Sequence, residues 1–309
     1  MSARTIFLGS GAFGRECLRR LSGHSRVHLV GVVTAPTGSS GRGRRGSATP
    51  IADLARELGL EPVLAPARLR APESLAAIDA LRPELAVLAD YGQVVPARLL
   101  ELRYGALNLH PSLLPRHRGA SPIPAAILAG DDDTGVTLIR MDAGLDTGPI
   151  IAQERVTLTG RETAPDLETA LEVIAAGLLE RNLDSWIDGR LTVRPQPTTG
   201  VSLTRPLRRE DGRLDPTRSS ARLERQIRAH QPWPGSFVDT ELGRVVVWDA
   251  TVEADGPDAG RFDRSGLGTS DGCLALCEVQ PAGGRRMSWA AYLLGRRGIV
   301  GSRVVDRPD

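Results

Sequence analysis

With 309 residues, 41% of them hydrophobic and 25% charged, the chain has the composition of a globular protein long enough for about two domains, each with its own core. A formal net charge of +2 neither requires nor excludes a nucleic-acid partner, and no apolar run approaches the roughly 18 residues of a membrane span. Three cysteines, Cys17, Cys273 and Cys277, are too few for a disulfide framework or a zinc site, and all 39 basic residues are arginine, which excludes a lysine base or Schiff base.

The opening residues lead straight into a strand, so no signal peptide is expected, and the reducing environment suits a cytoplasmic protein. Arg4 to Leu8 reads as a buried strand, followed by Gly9-Ser-Gly11-Ala-Phe-Gly14 and an amphipathic helix through Leu21. Those glycines match a dinucleotide fingerprint, but the second strand, His28 to Thr34, ends in Thr34-Ala35-Pro36 without the acid that would bind a ribose. A tight strand-to-helix turn without NAD is the expectation. Between Pro36 and Thr49 lies a Gly- and Ser-rich loop carrying Arg42, Arg44 and Arg45, a combination suited to gripping phosphates. Thr49-Pro50 then caps a helix to Leu58.

Gly59 to Ala65 is a short third strand, Pro72 to Leu81 a helix, and Leu85 to Ala89 a fourth strand ending in Asp90-Tyr91-Gly92. This rhythm predicts right-handed crossovers and a parallel sheet. Pro96 starts another helix, and Gly105 to Leu109 is an apolar strand interrupted by Asn108 and followed by His110. The loop Pro111-Ser-Leu-Leu-Pro115 is stiffened by its two prolines. A helix at Ile123 to Ala129, strands at Gly135 to Met141 and Pro149 to Val156, and the intervening loop Asp142 to Gly148 follow. Ala164 to Asp188 is a long helix with Leu167, Leu171, Ile174, Leu178 and Leu179 on one face.

From Gly189 the pattern breaks, and residues 190–208 read as a linker between a first domain at 1–189 and a second domain at 209–309. The second has a helix at Ala221 to Ala229 and strands at Ser236 to Thr240, Arg244 to Ala250 and Gly272 to Gln280, with Cys273 and Cys277 on one strand face. The expected fold class is α/β: a Rossmann-like, parallel-rich open sheet with helices on both faces, plus a smaller C-terminal β-barrel of OB-like type.

Asn108, His110 and Asp146 stand on two loops at the ends of apolar segments, where an open sheet keeps its chemistry. No Gly-x-Ser-x-Gly turn accompanies Ser112 or Ser121, which argues against a covalent hydrolase. A metal site from His110, His117 and Asp146 lacks a zinc-protease spacing, and a buried His–Asp pair without function is the plain structural alternative. Direct acyl transfer to an amine uses all three groups. The amide and a protonated imidazole would stabilise the oxyanion, with the carboxylate raising the imidazole pKa above about 6.5 and accepting the amine proton.

Asn-x-His-x-Ser-Leu-Leu-Pro-x-x-Arg-Gly at 108–119 with Leu-Asp-Thr-Gly at 145–148 resembles the 10-formyltetrahydrofolate-dependent formyltransferases. Gly41-Arg-Gly43, Leu223-Glu-Arg-Gln-Ile-Arg228, Pro232-Trp-Pro234 and Gln280-Pro-Ala-Gly283 extend the likeness to the branch that formylates methionyl initiator tRNA. The resemblance implies Asn108, His110 and Asp146 as the catalytic trio, Ser112, Leu113, Leu114 and Pro115 as part of the folate pocket, and a pterin near Leu88, Tyr91, Gly92, Val95 and Asp142. It implies that Arg42 meets the acceptor end of the tRNA, that the C-terminal domain touches RNA, and that the protein is a bacterial monomer using neither metal nor NAD. An amino-sugar nucleotide as acceptor and a non-catalytic folate- or RNA-binding relative are the alternatives. The chain departs from the family at Pro36-Thr-Gly-Ser-Ser40, where a charged pair is missing, at Asp53 in place of a basic residue, at Asp90 before Tyr-Gly, and at Pro216 in place of Trp.

Overall fold

A computed structural model describes residues 2–38 and 47–305, so the arginines expected to grip phosphate, Arg42, Arg44 and Arg45, lie outside the described residues. The chain divides into two compact units. One comprises residues up to Pro122, Asp133–Thr157 and Glu168–Arg205; the other comprises Ile123–Asp132, Leu158–Leu167 and the chain from Pro206 onward.

The first unit is built on strands whose residues are apolar on both faces, as a sheet covered on each side requires. They are β1 (Ala3–Leu8), β2 (Val27–Val33), β3 (Val63–Leu64), β4 (Leu85–Ala89) and β5 (Ala106–His110), connected through helices α1 (Arg15–Ser22), α2 (Pro50–Glu57), α3 (Pro72–Ala80) and α4 (Ala97–Leu100). The chain continues through a two-residue strand β6 (Arg118–Gly119), helix α5 (Pro122–Ala129), which belongs to the second unit from Ile123 on, β7 (Asp133–Arg140), β8 (Ile150–Thr157), helix α6 (Ala164–Ile187), whose start up to Leu167 also belongs to the second unit, and the short β9 (Leu203–Thr204). The sheet order is β3-β2-β1-β4-β5-β7-β8. From β3 to β5 every pairing is parallel, whereas β5·β7 and β7·β8 are antiparallel. The loop between β7 and β8 is too short for a parallel crossover, so β8 returns antiparallel to β7.

Local chemistry explains most boundaries. Thr49 caps α2 by accepting a hydrogen bond from the Ala52 amide at 3.1 Å, with Pro50 at the first helical position. The third strand is shorter than the expected Gly59 to Ala65, because Pro62 and Pro66 bracket Val63–Leu64 and offer no amide to the ladder. In α6, Leu167, Leu171, Leu178 and Leu179 are buried as the periodicity predicts, while Ile174 is half-buried.

The second unit holds helix α7 (Ser220–Ala229), strands β10 (Ser236–Thr240), β11 (Gly243–Glu253), β12 (Gly266–Thr269), β13 (Gly272–Pro281) and β14 (Met287–Ser288), and helix α8 (Trp289–Gly295). Four strands pair antiparallel in the order β10-β11-β13-β12, with β14 against β13, giving a curled half-barrel around Leu223, Ile227, Val247, Leu274 and Trp289. Its curl is helped by register shifts in β11·β13. One of these corrects the expectation for the cysteines: Ala250 faces Leu276 and Asp249 faces Glu278, which leaves Cys277 unpaired in a bulge. Cys273 is therefore buried and Cys277 exposed rather than both lying on one face.

Candidate active site

Side chains alternate along a strand, so Asn108 and His110 leave β5 on the same side, Asn108 in register with Leu88 on β4 and Ile139 on β7, and His110 with Thr137 on β7. Both sit at the carboxyl end of a parallel strand. His110 is buried, with its ring fixed by Nε2 donating to the backbone oxygen of His117 at 2.9 Å. A carbonyl can only accept, so Nε2 carries the hydrogen.

Asp146 arrives from the β7–β8 loop. Its φ of +52° is rare for a residue other than glycine and is held by contacts from several directions. One carboxylate oxygen accepts from Asn108 Nδ2 at 3.3 Å, and the other accepts from the Gly119 amide at 2.8 Å and lies 3.6 Å from His110 Nδ1. At the loop's end Gly148 is obligatory, because a Cβ there would stand 1.9 Å from the Arg140 carbonyl oxygen. The Asp142 carboxylate accepts from the Gly144 amide at 3.0 Å and the Thr147 hydroxyl at 2.7 Å, so it braces the loop from within.

The electrostatics correct one expectation. Burial pushes the His110 pKa below the ordinary imidazole value; the Asp146 carboxylate and the His117 carbonyl oppose this without reversing it. His110 is neutral at rest, with the Nδ1 lone pair turned toward Asp146. The expected raised pKa weighed the carboxylate and omitted the loss of water around a ring that is only 4% exposed.

The Pro-rich loop is a wall pinned from behind. Thr137, fully buried on β7, donates to the Ser112 carbonyl at 2.6 Å and accepts from the Leu114 amide at 3.1 Å, while Gln153 donates to the Leu114 carbonyl at 2.9 Å. Ser112 spends its hydroxyl on the Arg116 carbonyl at 2.6 Å and is fully buried. Leu114 packs with Ile139 and Ile150, Pro115 is buried beside it, and Leu113 is half-buried. Ser112, Leu114 and Pro115 thus shape the wall from its interior.

On the neighbouring strand end, Tyr91, Val95 and Met141 are partly buried against the apolar cluster that contains Leu88, and Gly92 is exposed. Among the described residues the buried Tyr91 hydroxyl has no hydrogen-bond partner, and burial lifts its pKa to about 12. An apolar shelf with one unused hydroxyl fits a flat heterocycle that offers an acceptor.

Asp90 explains why the glycine-rich turn is not a phosphate cradle. Its carboxyl group receives the Gly11 amide and sits so close that a Cβ on Gly11 would fall 1.6 Å from Asp90 Oδ2. The space a pyrophosphate needs is filled by an acid. Burial raises the pKa of Asp90, and the same holds for Glu168, which Asp90 further raises. Among the described residues no three His, Cys, Asp or Glu side chains cluster as a metal site, and no helix is long and apolar enough to cross a membrane.

Sequence reasoning missed a set of residues between Gly189 and Arg208. Gln196 touches both Arg118 and the Asp146 loop, Ser202 accepts from the His117 amide at 2.8 Å, and Thr204 accepts from the Ser121 amide at 3.1 Å. A parallel pairing of β6 with β9 joins them. No periodicity announces such contacts.

An amide, an imidazole and a carboxylate thus converge at the carboxyl end of a parallel strand in a Rossmann-like sheet. The formyl transferase family profile matches residues 3–181, and that of the formyl transferase C-terminal domain matches 206–297. The N-formyltransferase of Helicobacter canadensis, solved with folinic acid and dTDP-3-aminofucose, shares the fold at a TM-score of 0.62 and 17% identity, over 89% of this chain and 99% of that one. Methionyl-tRNA formyltransferase of Roseiflexus sp. (strain RS-1) is 40% identical over 314 residues, covering 99% of this chain and 96% of the relative. That of Halorhodospira halophila (strain DSM 244 / SL1) is 40% identical over 312 residues, covering 98% and 100%. The chain belongs to the methionyl-tRNA formyltransferase family.

Proposed function

We propose that the protein transfers the formyl group of 10-formyltetrahydrofolate to the α-amine of methionine esterified to initiator tRNA, and that Asn108, His110 and Asp146 carry the transfer. The observation that supports this most is the meeting of the three side chains, with Asp146 bonded to Asn108 and 3.6 Å from the unprotonated nitrogen of His110. Full-length relatives of about 40% identity, all named for methionyl-tRNA, favour that acceptor over an amino-sugar nucleotide.

The amine attacks the formyl carbon, and the carbonyl oxygen becomes an oxyanion. Asn108 uses one amide hydrogen on Asp146 and has a second to offer that oxygen. The attacking nitrogen must lose a proton, which passes to the Asp146 carboxylate or to His110 Nδ1. An imidazolium formed there lies between two acceptors, the His117 carbonyl and Asp146, so the cation that burial disfavours at rest is supported when it forms. Collapse of the intermediate breaks the bond from the formyl carbon to N10, and N10 takes up the proton. Charge and atoms balance without external acid or base.

The donor is read as lying on the shelf of Leu88, Tyr91, Gly92 and Val95, between the 112–115 wall and the loop at Asp142. In this reading residues 1–189 perform the chemistry. Arg42, Arg44 and Arg45 and the domain at 209–309 hold the tRNA through phosphate contacts that weaken as salt rises, and the protein acts as a cytoplasmic monomer. The test is incubation of the purified protein with 10-formyltetrahydrofolate and either charged initiator tRNA or an amino-sugar nucleotide. Formyl-methionyl-tRNA and tetrahydrofolate in equal amounts are expected; formylation of the sugar alone would overturn the choice of acceptor.

A further inference from the structure

We propose that Gln196 is a positioning residue for the transfer, a clamp oriented by Arg118 that holds the backbone of the Asp146 loop so that the Asp146 carboxylate stays on the reaction site. The inference rests on the reading of Asp146 as a catalytic group.

The loop needs such a clamp. Residues 142–145 are exposed, and Asp146 adopts a φ of +52° that its own covalent geometry disfavours. The Gly119 amide and the Asn108 side chain fix the carboxylate, but not the chain that carries it. Gln196 Nε2 donates to the Asp146 carbonyl at 2.7 Å and to the Gly148 carbonyl at 2.8 Å, spending both amide hydrogens on the loop. Its Oε1 accepts from Arg118 Nε at 3.0 Å and Nη2 at 2.7 Å. The capacity of the amide is used in full.

The arrangement also fixes which way the amide faces. A guanidinium only donates and carbonyls only accept, so the oxygen must face Arg118 and the nitrogen must face the loop. Arg118 is itself held: its amide donates to the Ser202 carbonyl at 2.9 Å and its carbonyl accepts from the Thr204 hydroxyl at 3.1 Å. The next residue, Gly119, supplies the amide that binds the Asp146 carboxylate. One short segment, 118–119, thus orients both the carboxylate and the clamp behind it, and the strap around Gln196 is part of the catalytic assembly.

The test compares Gln196→Leu, Gln196→Glu, Asp146→Asn and the Gln196→Leu/Asp146→Asn double variant in steady-state formylation. Gln196→Glu is nearly isosteric and keeps a partner for Arg118, but sets an acceptor against two carbonyls. Loss of two hydrogen bonds of ordinary strength predicts a fall in kcat of about 30-fold, with the KM for the folate donor unchanged. The rate of Gln196→Glu relative to wild type rises as pH falls, because its protonated side chain regains a donor. The double variant should be no slower than Asp146→Asn alone, since both changes remove the same function. A residue that merely stabilises the fold would lower thermal stability, leave kcat of the folded fraction unchanged, and show no pH-dependent recovery. Wild-type kcat in Gln196→Leu, with Asp146→Asn impaired, overturns the clamp alone; wild-type kcat in Asp146→Asn overturns the reading of the site and the clamp with it.

Discussion

Asp146→Asn is the sharpest perturbation of the site, because it changes charge with almost no change in shape. Asparagine tolerates the left-handed backbone that Asp146 adopts at a φ of +52°, so the loop should keep its course. The new NH2 group, however, must face either the Gly119 amide or Asn108 Nδ2, both donors that now bond to the carboxylate at 2.8 Å and 3.3 Å. One charge-assisted hydrogen bond disappears whichever way the amide turns, at a cost of about 1.5–3 kcal/mol or roughly 10- to 150-fold in rate if it is felt in the transition state. Removal of a general base contributes typically about 10²–10⁴-fold. The two effects overlap, and a fall of about 10³-fold in kcat is expected. Single-turnover formylation of charged initiator tRNA, quenched and resolved by acid gel electrophoresis, reads this directly, with donor affinity followed separately by equilibrium binding. A correctly folded variant with kcat within about threefold of wild type would refute the role given to the carboxylate.

Other perturbations read different parts of the structure. Asn108→Ala should lower kcat by about 10²–10³-fold with little change in donor affinity, as expected for an oxyanion donor; parallel kinetics and binding check it. His230 is buried in the second unit, neither ring nitrogen has a partner among the described residues, and burial brings its pKa down to about 4. Below about pH 6.5 the unfolded chain takes up a proton that the native state refuses, so stability is full above that pH and falls by about 2–3 kcal/mol toward pH 4. His230→Phe should flatten that dependence in denaturant titrations, and an unchanged slope would count against it. Asp90→Asn keeps an acceptor for the Gly11 amide and suits the φ of +54°. Because burial raises the Asp90 pKa, wild-type Asp90 costs stability as pH rises through its folded value. The variant should therefore melt higher than wild type at neutral pH, with the difference vanishing in acid; a lower melting temperature at pH 7 would contradict it.

The legible parts of the molecule are those whose meaning is local. The apolar run that ends in Asn108-Leu-His110 and the loop from Asp142 to Gly148 stand out because strand periodicity and turn chemistry act over a few residues, and both lie where the sequence places them. The departure at Asp90 was visible as a letter, but its effect depends on Gly11, which only the β1–β4 pairing brings near. Gln196, Ser202 and Thr204 sit in a stretch that reads as a linker. Their significance comes from partners some 48 to 86 positions earlier, across pairs that no local pattern encodes. The strand Gly266–Thr269 escaped notice because Gly-Leu-Gly-Thr has little intrinsic strand preference and is held by pairing with β13. The direction of the His110 pKa failed for a related reason: a neighbouring carboxylate is readable from sequence, whereas burial is not.

Whether these three side chains carry the transfer is read most directly by the single-turnover rate of formyl transfer from 10-formyltetrahydrofolate to charged initiator tRNA in His110→Ala, beside wild type and with folate binding measured on the same preparations. Wild type should form formyl-methionyl-tRNA, and the variant should bind the folate while transferring at least about 10³-fold more slowly. Transfer at the wild-type rate by the folded variant would contradict the assignment of the chemistry to this site.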